Sequence, residues 1–343
     1  MSLSLTWETL TVHTTVPFVI ARGGSSEHRT LHVRLRDEDG LEGWGEAAPN
    51  RFYSENIDTA TRALEELRPV VERVDPFALE HLEQVMKPVQ LGNSVKSAIS
   101  AAAHDLVGKR LGVPLWKLWG LDPSTCPRSS FTIAIAPDLP ELERRVKAAD
   151  SYPVLKVKLG TDHDEEVIRT VVAAAPGKTI RVDANAAWTP EHAVKMIGLL
   201  QSLGIEYVEQ PVKADDLEGL RFVHERSPLP IFADESCIVS TDIPRLAGRV
   251  SGINIKLSKC GGLREALRMI ATARAHGMKV MAGCMIETSL GITAAAHFAP
   301  LLDYADYDGA ALLSDDPFVG ASIAGGRITL PTAPGLGVAV RSA

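Results

Sequence analysis

The 343-residue sequence predicts a TIM-type (β/α)7β barrel behind an N-terminal α+β domain. Three observations carry that prediction. From residue 128 onward, short β-branched runs alternate with amphipathic helical segments at intervals of about 25 residues; eight such runs occur; and nearly every run ends in charge.

The first 125 residues follow a different pattern. "LTWETLTVHTTVPF" and "RTLHVRLRDEDGLEGWGEAAP" alternate with period two and turn at "DEDG", which predicts an antiparallel meander, and helical segments follow over 56–73, 76–86 and 93–111. The barrel occupies 126–316. Its predicted strands are 130–135, 154–159, 179–184, 205–210, 229–234, 252–257, 278–283 and 303–308. Between them lie helices such as 140–150, 189–204 and 263–277, the last two closing at Gly204 and Gly277 in the manner of C-caps. An open doubly wound sheet is the competing architecture, but no Gly-rich phosphate loop follows the first strand, and near-equal units favour closure. The tail from about 317 to 343 has strand character and is expected to pack back on the first domain.

Composition narrows the partner class. Hydrophobic residues make up 45% of the chain, charged residues 23%, and the net charge is −7, which gives no reason to expect nucleic-acid or membrane-surface binding. A small-molecule substrate is the default, and the composition leaves room for a homo-oligomer. Cys126, Cys237, Cys260 and Cys284 are widely spaced without a CxxC pair, so a disulfide framework or a thiolate zinc site is not expected. With no signal-peptide pattern and no long apolar run, a reducing cytoplasm is the expected location.

In a TIM barrel the chemistry sits at the C-terminal ends of the strands. Those ends carry Lys156 and Lys158, Asp183 and Asn185, Glu209, Asp234 and Glu235, Lys256, and Asp306 and Asp308. Any one of them alone is more often a solvated strand end. Asp183, Glu209 and Asp234, however, fall at spacings of 26 and 25 on three adjacent strands, and three convergent carboxylates require a cation. An all-oxygen set suits Mg2+ rather than zinc, with Asn185 and Glu235 as supporting groups. Strands two and six of an eight-stranded barrel lie opposite one another, so Lys158 and Lys256 face each other across the mouth. Taken alone, "KVK" also fits a phosphate-binding strand end. Opposed lysines beside a cation fit a pair of bases flanking one carbon, and the reaction class is proton abstraction α to a carboxylate. Lys156, on the same side of the strand as Lys158, is expected to lower the pKa of that base. Lys259, beyond the strand end, is the disfavoured alternative to Lys256.

These residues resemble the enolase superfamily and, within it, the muconate-lactonizing-enzyme subgroup. "KVK" at 156–158, "DAN" at 183–185, "EQP" at 209–211, "ADES" at 233–236 and "NIKLSKCGG" at 254–262 are similar to its strand-end motifs, and "GWGEAAP" at 43–49 to its capping domain. The resemblance implies Mg2+ on Asp183, Glu209 and Asp234, and Lys158 with Lys256 as the acid/base pair. "ADYDG" at 305–309 resembles the Asp-x-Asp of dipeptide epimerases, implying that Asp306 and Asp308 receive a substrate α-ammonium. The pair is expected to lie away from the three metal carboxylates. By the same resemblance Thr132, Lys156, Cys284 and Ile286 line the dipeptide. In the capping segments 18–28 and 48–56, Arg22 and Arg51 are candidates for an acidic substrate side chain, with Ser25 an alternative occupant of that position. The implied activity is a Mg2+-dependent dipeptide epimerase acting on L-Ala-D/L-Glu or a related dipeptide. An N-succinylamino acid racemase or o-succinylbenzoate synthase is the alternative, and a catalytically silent binding scaffold a third reading.

Overall fold

A computed structural model describes residues 3–90 and 92–342. Three antiparallel strands open the chain, β1 (Ser4–Ile20), β2 (Gly23–Arg36) and β3 (Glu42–Ala47), in the order β1-β2-β3. Helices α1 (Ile57–Val71), α2 (Leu79–Met86) and α3 (Asn93–Leu111) follow. Asn56 starts α1 by a reciprocal cap with Thr59. Leu5, Leu31, Val33, Leu35, Leu64 and Ile99 form the core between this sheet and its helices. The motif "GWGEA" has a packing cause. Gly43 and Gly45 face α3, where a Cβ would stand 1.9 Å from the Ala102 carbonyl oxygen and 2.0 Å from that of Ala98. Only glycine lets the helix approach this closely. The alternate residue Glu46 accepts from the backbone of Thr288 and Gly291 and so ties β3 to the barrel helix Ser289–Ala296.

The barrel is built from eight parallel strands: β4 (Phe131–Ile133), β5 (Val154–Lys158), β6 (Thr179–Asp183), β7 (Val208–Glu209), β8 (Ile231–Ala233), β9 (Gly252–Ile255), β10 (Lys279–Gly283) and β11 (Tyr304–Asp306). They are hydrogen-bonded in chain order, and Ser130 N donating to Ala305 O at 3.0 Å closes the ring between β4 and β11. A helix fills each of the seven crossovers, and after β11 only the 3-10 turn Gly309–Leu312 follows before the tail. This is the (β/α)7β count. The helix Pro190–Ser202 starts on the Thr189 side chain, and Gly204 and Gly277 take φ of +75° and +68°, as left-handed C-terminal positions require.

Strand ends differ from the expected ones mainly at β7, predicted over 205–210 and observed over only two residues. At its C-terminal end Gln210, with a φ of +35°, turns the chain out of the strand before Pro211. The capping segment 18–28 is the tip of the β1–β2 hairpin, turning at Ala21 and Arg22. The tail forms a two-stranded sheet of Phe318–Val319 with Ala339–Val340. The Phe318 ring stands 5.1 Å from His32 and 6.2 Å from Trp44, on the N-terminal sheet.

Inside the barrel, side chains alternate with period two and stack in layers. Tyr207, Phe232 and Tyr304 form an aromatic floor with ring centroids 4.7–5.4 Å apart. Two residues further along the same strands stand Glu209, Asp234 and Asp306. The floor closes the polar layer off from the far end of the barrel and keeps its charges in a low-dielectric setting. Among the described residues, no helix is long and apolar enough to cross a membrane.

Candidate active site

The register of the sheet assembles the site. Lys158 pairs with Asp183, and Asp183 with Glu209, on one rung across β5, β6 and β7. Asp234 follows one residue after β8. One carboxylate oxygen from each of Asp183, Glu209 and Asp234 lies within 4.8 Å of the others, and all three residues are buried. Glu209 Oε1 accepts from Asn254 Nδ2 at 2.7 Å. Glu209 Oε2 is ion-paired with Lys156 Nζ at 2.7 Å but makes no aligned hydrogen bond. Three buried, convergent carboxylates, one oxygen of which makes no hydrogen bond, fit a hard divalent cation.

Four ammonium groups surround the cluster. Lys158 Nζ donates to Asp183 Oδ2 and Lys256 Nζ to Asp234 Oδ2, each at 2.7 Å. β5 and β9 are four strands apart in a ring of eight, so the two lysines enter from opposite walls. Gly283, inward-facing on β10, leaves room for the second; a Cβ there would lie 3.3 Å from Lys256 Cε. Lys259, the disfavoured base, is fully enclosed: its three N–H groups are shared among four acceptors, Asp234 Oδ1 at 2.5 Å and the carbonyls of Asp234, Cys237 and Asn254 at 2.6–3.1 Å. It orients Asp234 and has no donor left for a substrate. The signal was present in "KLSK", three residues apart on the turn Leu257–Cys260.

The electrostatics follow from this packing. Burial raises the Asp183 and Asp234 carboxyls, but Lys158 and Lys156 around the first, and Lys256 and Lys259 around the second, outweigh it and hold both well below the usual range. Glu209 has fewer cations, and burial together with Asp183 pushes it up to about 7. Burial disfavours the Lys256 ammonium, yet Asp234 above all keeps its pKa well above the ordinary lysine value.

The Asp-x-Asp pair stands outside the three-carboxylate group. Asp306 is nevertheless not short of a cation: Lys156 Nζ donates to its Oδ2 at 2.8 Å while standing 2.7 Å from Glu209 and 3.2 Å from Asp183, so one ammonium bridges the two clusters. Asp306 also accepts from Ser130 Oγ at 2.8 Å. Asp308 Oδ2 accepts from the Thr132 amide, and burial beside Asp306 pushes its carboxyl up to about 7. Asp308 is therefore the member short of a cation. Lys156 itself is held strongly protonated, because Asp306, Glu209 and Asp183 overcome the cost of its burial. Cys284 and Ile286 are partly buried just beyond β10, near the same rim.

The remaining predicted residues support or roof the site. Asn185 takes φ of +46°, unusual for a residue other than glycine, and its amide donates to Asp183 Oδ1 at 2.8 Å. Gln210, missed in the sequence, performs the same service for the next strand: Oε1 accepts from the amides of Asp234 and Ser236 at 2.9 and 3.1 Å. Arg22, expected to face an acidic substrate side chain, is bonded to Glu235 Oε1 and the Asn185 carbonyl, each at 2.8 Å. Arg51 is exposed, in the short turn Arg51–Tyr53.

Behind this wall, Glu287 accepts from Ser258 Oγ at 2.8 Å, and burial with neighbouring Glu46 pushes its carboxyl up to about 7. A raised carboxylate pKa means that the folded state keeps a proton the unfolded chain releases, so its contribution to stability falls as pH rises from about 4.5 to 7. Glu287→Gln, which keeps the shape of the protonated acid, is expected to be near neutral at pH 5 and to stabilise by about 3 kcal/mol at pH 8. Urea unfolding of both proteins at the two pH values checks this.

The barrel, the carboxylate triad on successive strands and the opposed lysines define an acid/base enzyme of the enolase type. The chain belongs to the mandelate racemase / muconate lactonizing enzyme family: the model of that family's N-terminal domain matches residues 5–120, and the model described as enolase C-terminal domain-like matches 139–343. An L-Ala-D/L-Glu epimerase of Bacteroides thetaiotaomicron is 41% identical over 325 residues, covering 94% of this chain and 84% of that protein. The substrate-liganded L-Ala-D/L-Glu epimerase of Bacillus subtilis superposes with a TM-score of 0.94 at 31% identity, covering 98% of this chain and 99% of that one. A dipeptide epimerase of Enterococcus faecalis V583, complexed with Mg and L-Leu-L-Tyr, gives 0.91 at 34% identity over 98% and 99% of the two chains.

Proposed function

We propose that this protein is a Mg2+-dependent dipeptide epimerase that inverts the α-carbon of the C-terminal residue of L-Ala-D/L-Glu or a related dipeptide. The observation that carries the reading is the pair of buried lysines on opposite barrel walls, each hydrogen-bonded to a different carboxylate of one three-carboxylate cluster. Asp183, Glu209 and Asp234 would hold the metal. Bound there, Mg2+ supplies positive charge that eases negative charge onto the substrate carboxylate and offsets the carboxylates' pull on the lysine ammoniums.

The chain's own residues account for the rest. One of Lys158 and Lys256, in its neutral form, takes the α-proton, and the other, as the ammonium, returns a proton to the opposite face; both diastereomers are substrates, so the roles exchange with direction. Asp234, fixed by Lys259 and Gln210, and Asp183, fixed by the Asn185 amide, keep the two lysines from drifting. Asp308, held by the Thr132 amide and lacking a cation of its own, receives the substrate ammonium, with Asp306 and Lys156 completing that end. The racemase and synthase alternative would leave a buried carboxylate pair without that use. The aromatic floor and the hairpin above restrict water.

Incubation of L-Ala-L-Glu and a small dipeptide library in D2O with Mg2+ tests the reading. Deuterium is expected at the C-terminal α-carbon together with formation of the second diastereomer; absence of α-exchange with every dipeptide contradicts it.

A further inference from the structure

We infer that Arg22 is a positioning residue that latches the β1–β2 hairpin over the barrel mouth through Glu235, and that preference for or against an acidic substrate side chain does not reside in it. The substrate half of this inference rests on the dipeptide-epimerase reading.

The hairpin tip meets four strand ends. Val19 O accepts from Ile135 N, just past β4, at 2.9 Å. Gly160, past β5, has a φ of +103°, and a Cβ there would stand 2.9 Å from Ala21 Cβ and 2.7 Å from Ala187 Cβ. Arg22 then reaches the ends of β6 and β8: Nη1 donates to the Asn185 carbonyl and Nη2 to Glu235 Oε1, each at 2.8 Å. Its guanidinium also lies 4.3 Å over the Phe52 ring, which joins the second capping segment to the first.

Both acceptors adjoin the carboxylate cluster. Asn185 is the residue whose amide orients Asp183, and Glu235 directly follows Asp234. A closed hairpin and an ordered pair of carboxylates are therefore one arrangement. The burial is asymmetric: the Glu235 side chain is 1% exposed and that of Arg22 33%. A substrate carboxylate drawing Arg22 away would leave the buried Glu235 carboxyl without its Arg22 partner beside Asp234, so the guanidinium is committed to the protein. Binding a neutral side chain carries no such cost.

Hydrogen exchange and paired kinetics on Arg22→Ala, Arg22→Lys and Glu235→Gln test the latch. In Arg22→Ala and Glu235→Gln, exchange at the Ile135 amide and across residues 16–28 is expected to rise at least about tenfold, with Arg22→Lys between them and wild type. In Arg22→Ala, kcat/KM for L-Ala-L-Glu and for L-Ala-L-Leu should fall together by at least about tenfold, their ratio staying within about threefold of wild type. Selective loss of L-Ala-L-Glu with L-Ala-L-Leu spared would make Arg22 a substrate receptor and overturn the inference, as would unchanged exchange in Arg22→Ala. If the wild-type protein turns over neither dipeptide, the functional reading fails, and the exchange measurement decides the latch by itself.

Discussion

Lys158→Ala and Lys256→Ala are each expected to lower dipeptide epimerisation by at least about 10^2–10^4-fold, the range a positioned acid/base group contributes. Inversion needs a proton removed on one face and delivered on the other, and a single wall of the barrel reaches one face only. The loss should appear in kcat with little change in KM, because a group that moves the α-proton acts in the transition state. Both lysines are buried against carboxylates, so each variant also needs a check of its fold. Lys158→Met and Lys256→Met fill the space without a base and should give the same kinetic loss with an unchanged circular dichroism spectrum. Chiral chromatography of the product at saturating substrate measures the effect.

Glu209→Gln is the second large effect: Mg2+ affinity is expected to drop by at least about 100-fold, with activity falling alongside it. The substitution removes one negative charge at nearly constant shape and retains an acceptor for Asn254. What disappears is Oε2 as an anion, the oxygen of the cluster that makes no hydrogen bond. Isothermal titration with Mg2+, or Mn2+ paramagnetic resonance as a stand-in, reads the loss without relying on turnover. Retention of wild-type metal affinity would move the cation away from this cluster.

The sequence made the barrel legible because two local rules apply to it: alternation with period two within strands, and charge at the C-terminal strand ends. Asp183, Glu209 and Asp234 could be picked out by spacing alone, since near-equal β/α units place equivalent positions about 25 residues apart. What could not be read depends on closing the ring. Lys156 meets Asp306 across 150 residues of sequence, and the closure of the ring at Ser130 and Ala305 brings them together. The Asp306/Asp308 pair therefore reads as isolated in the sequence, whereas Lys156 links Asp306 to the three-carboxylate cluster. Gln210 was passed over because its role comes from a left-handed backbone that lets a side chain hold the next strand's amides. Arg22 is a candidate for the substrate because a basic residue in a capping segment suggests an anionic ligand; its bond to Glu235, 213 residues away, is not legible in the sequence.

The two-base arrangement is tested most directly by following α-proton exchange in D2O for Lys158→Ala and Lys256→Ala, each given L-Ala-L-Glu and L-Ala-D-Glu separately. Opposed lysines predict complementary behaviour: each variant exchanges the α-proton of one diastereomer and not the other, with no inversion in either, and the diastereomer spared by one variant is the one lost in its counterpart. If both variants lose exchange with the same diastereomer, or if either still interconverts the two, the lysines do not serve opposite faces.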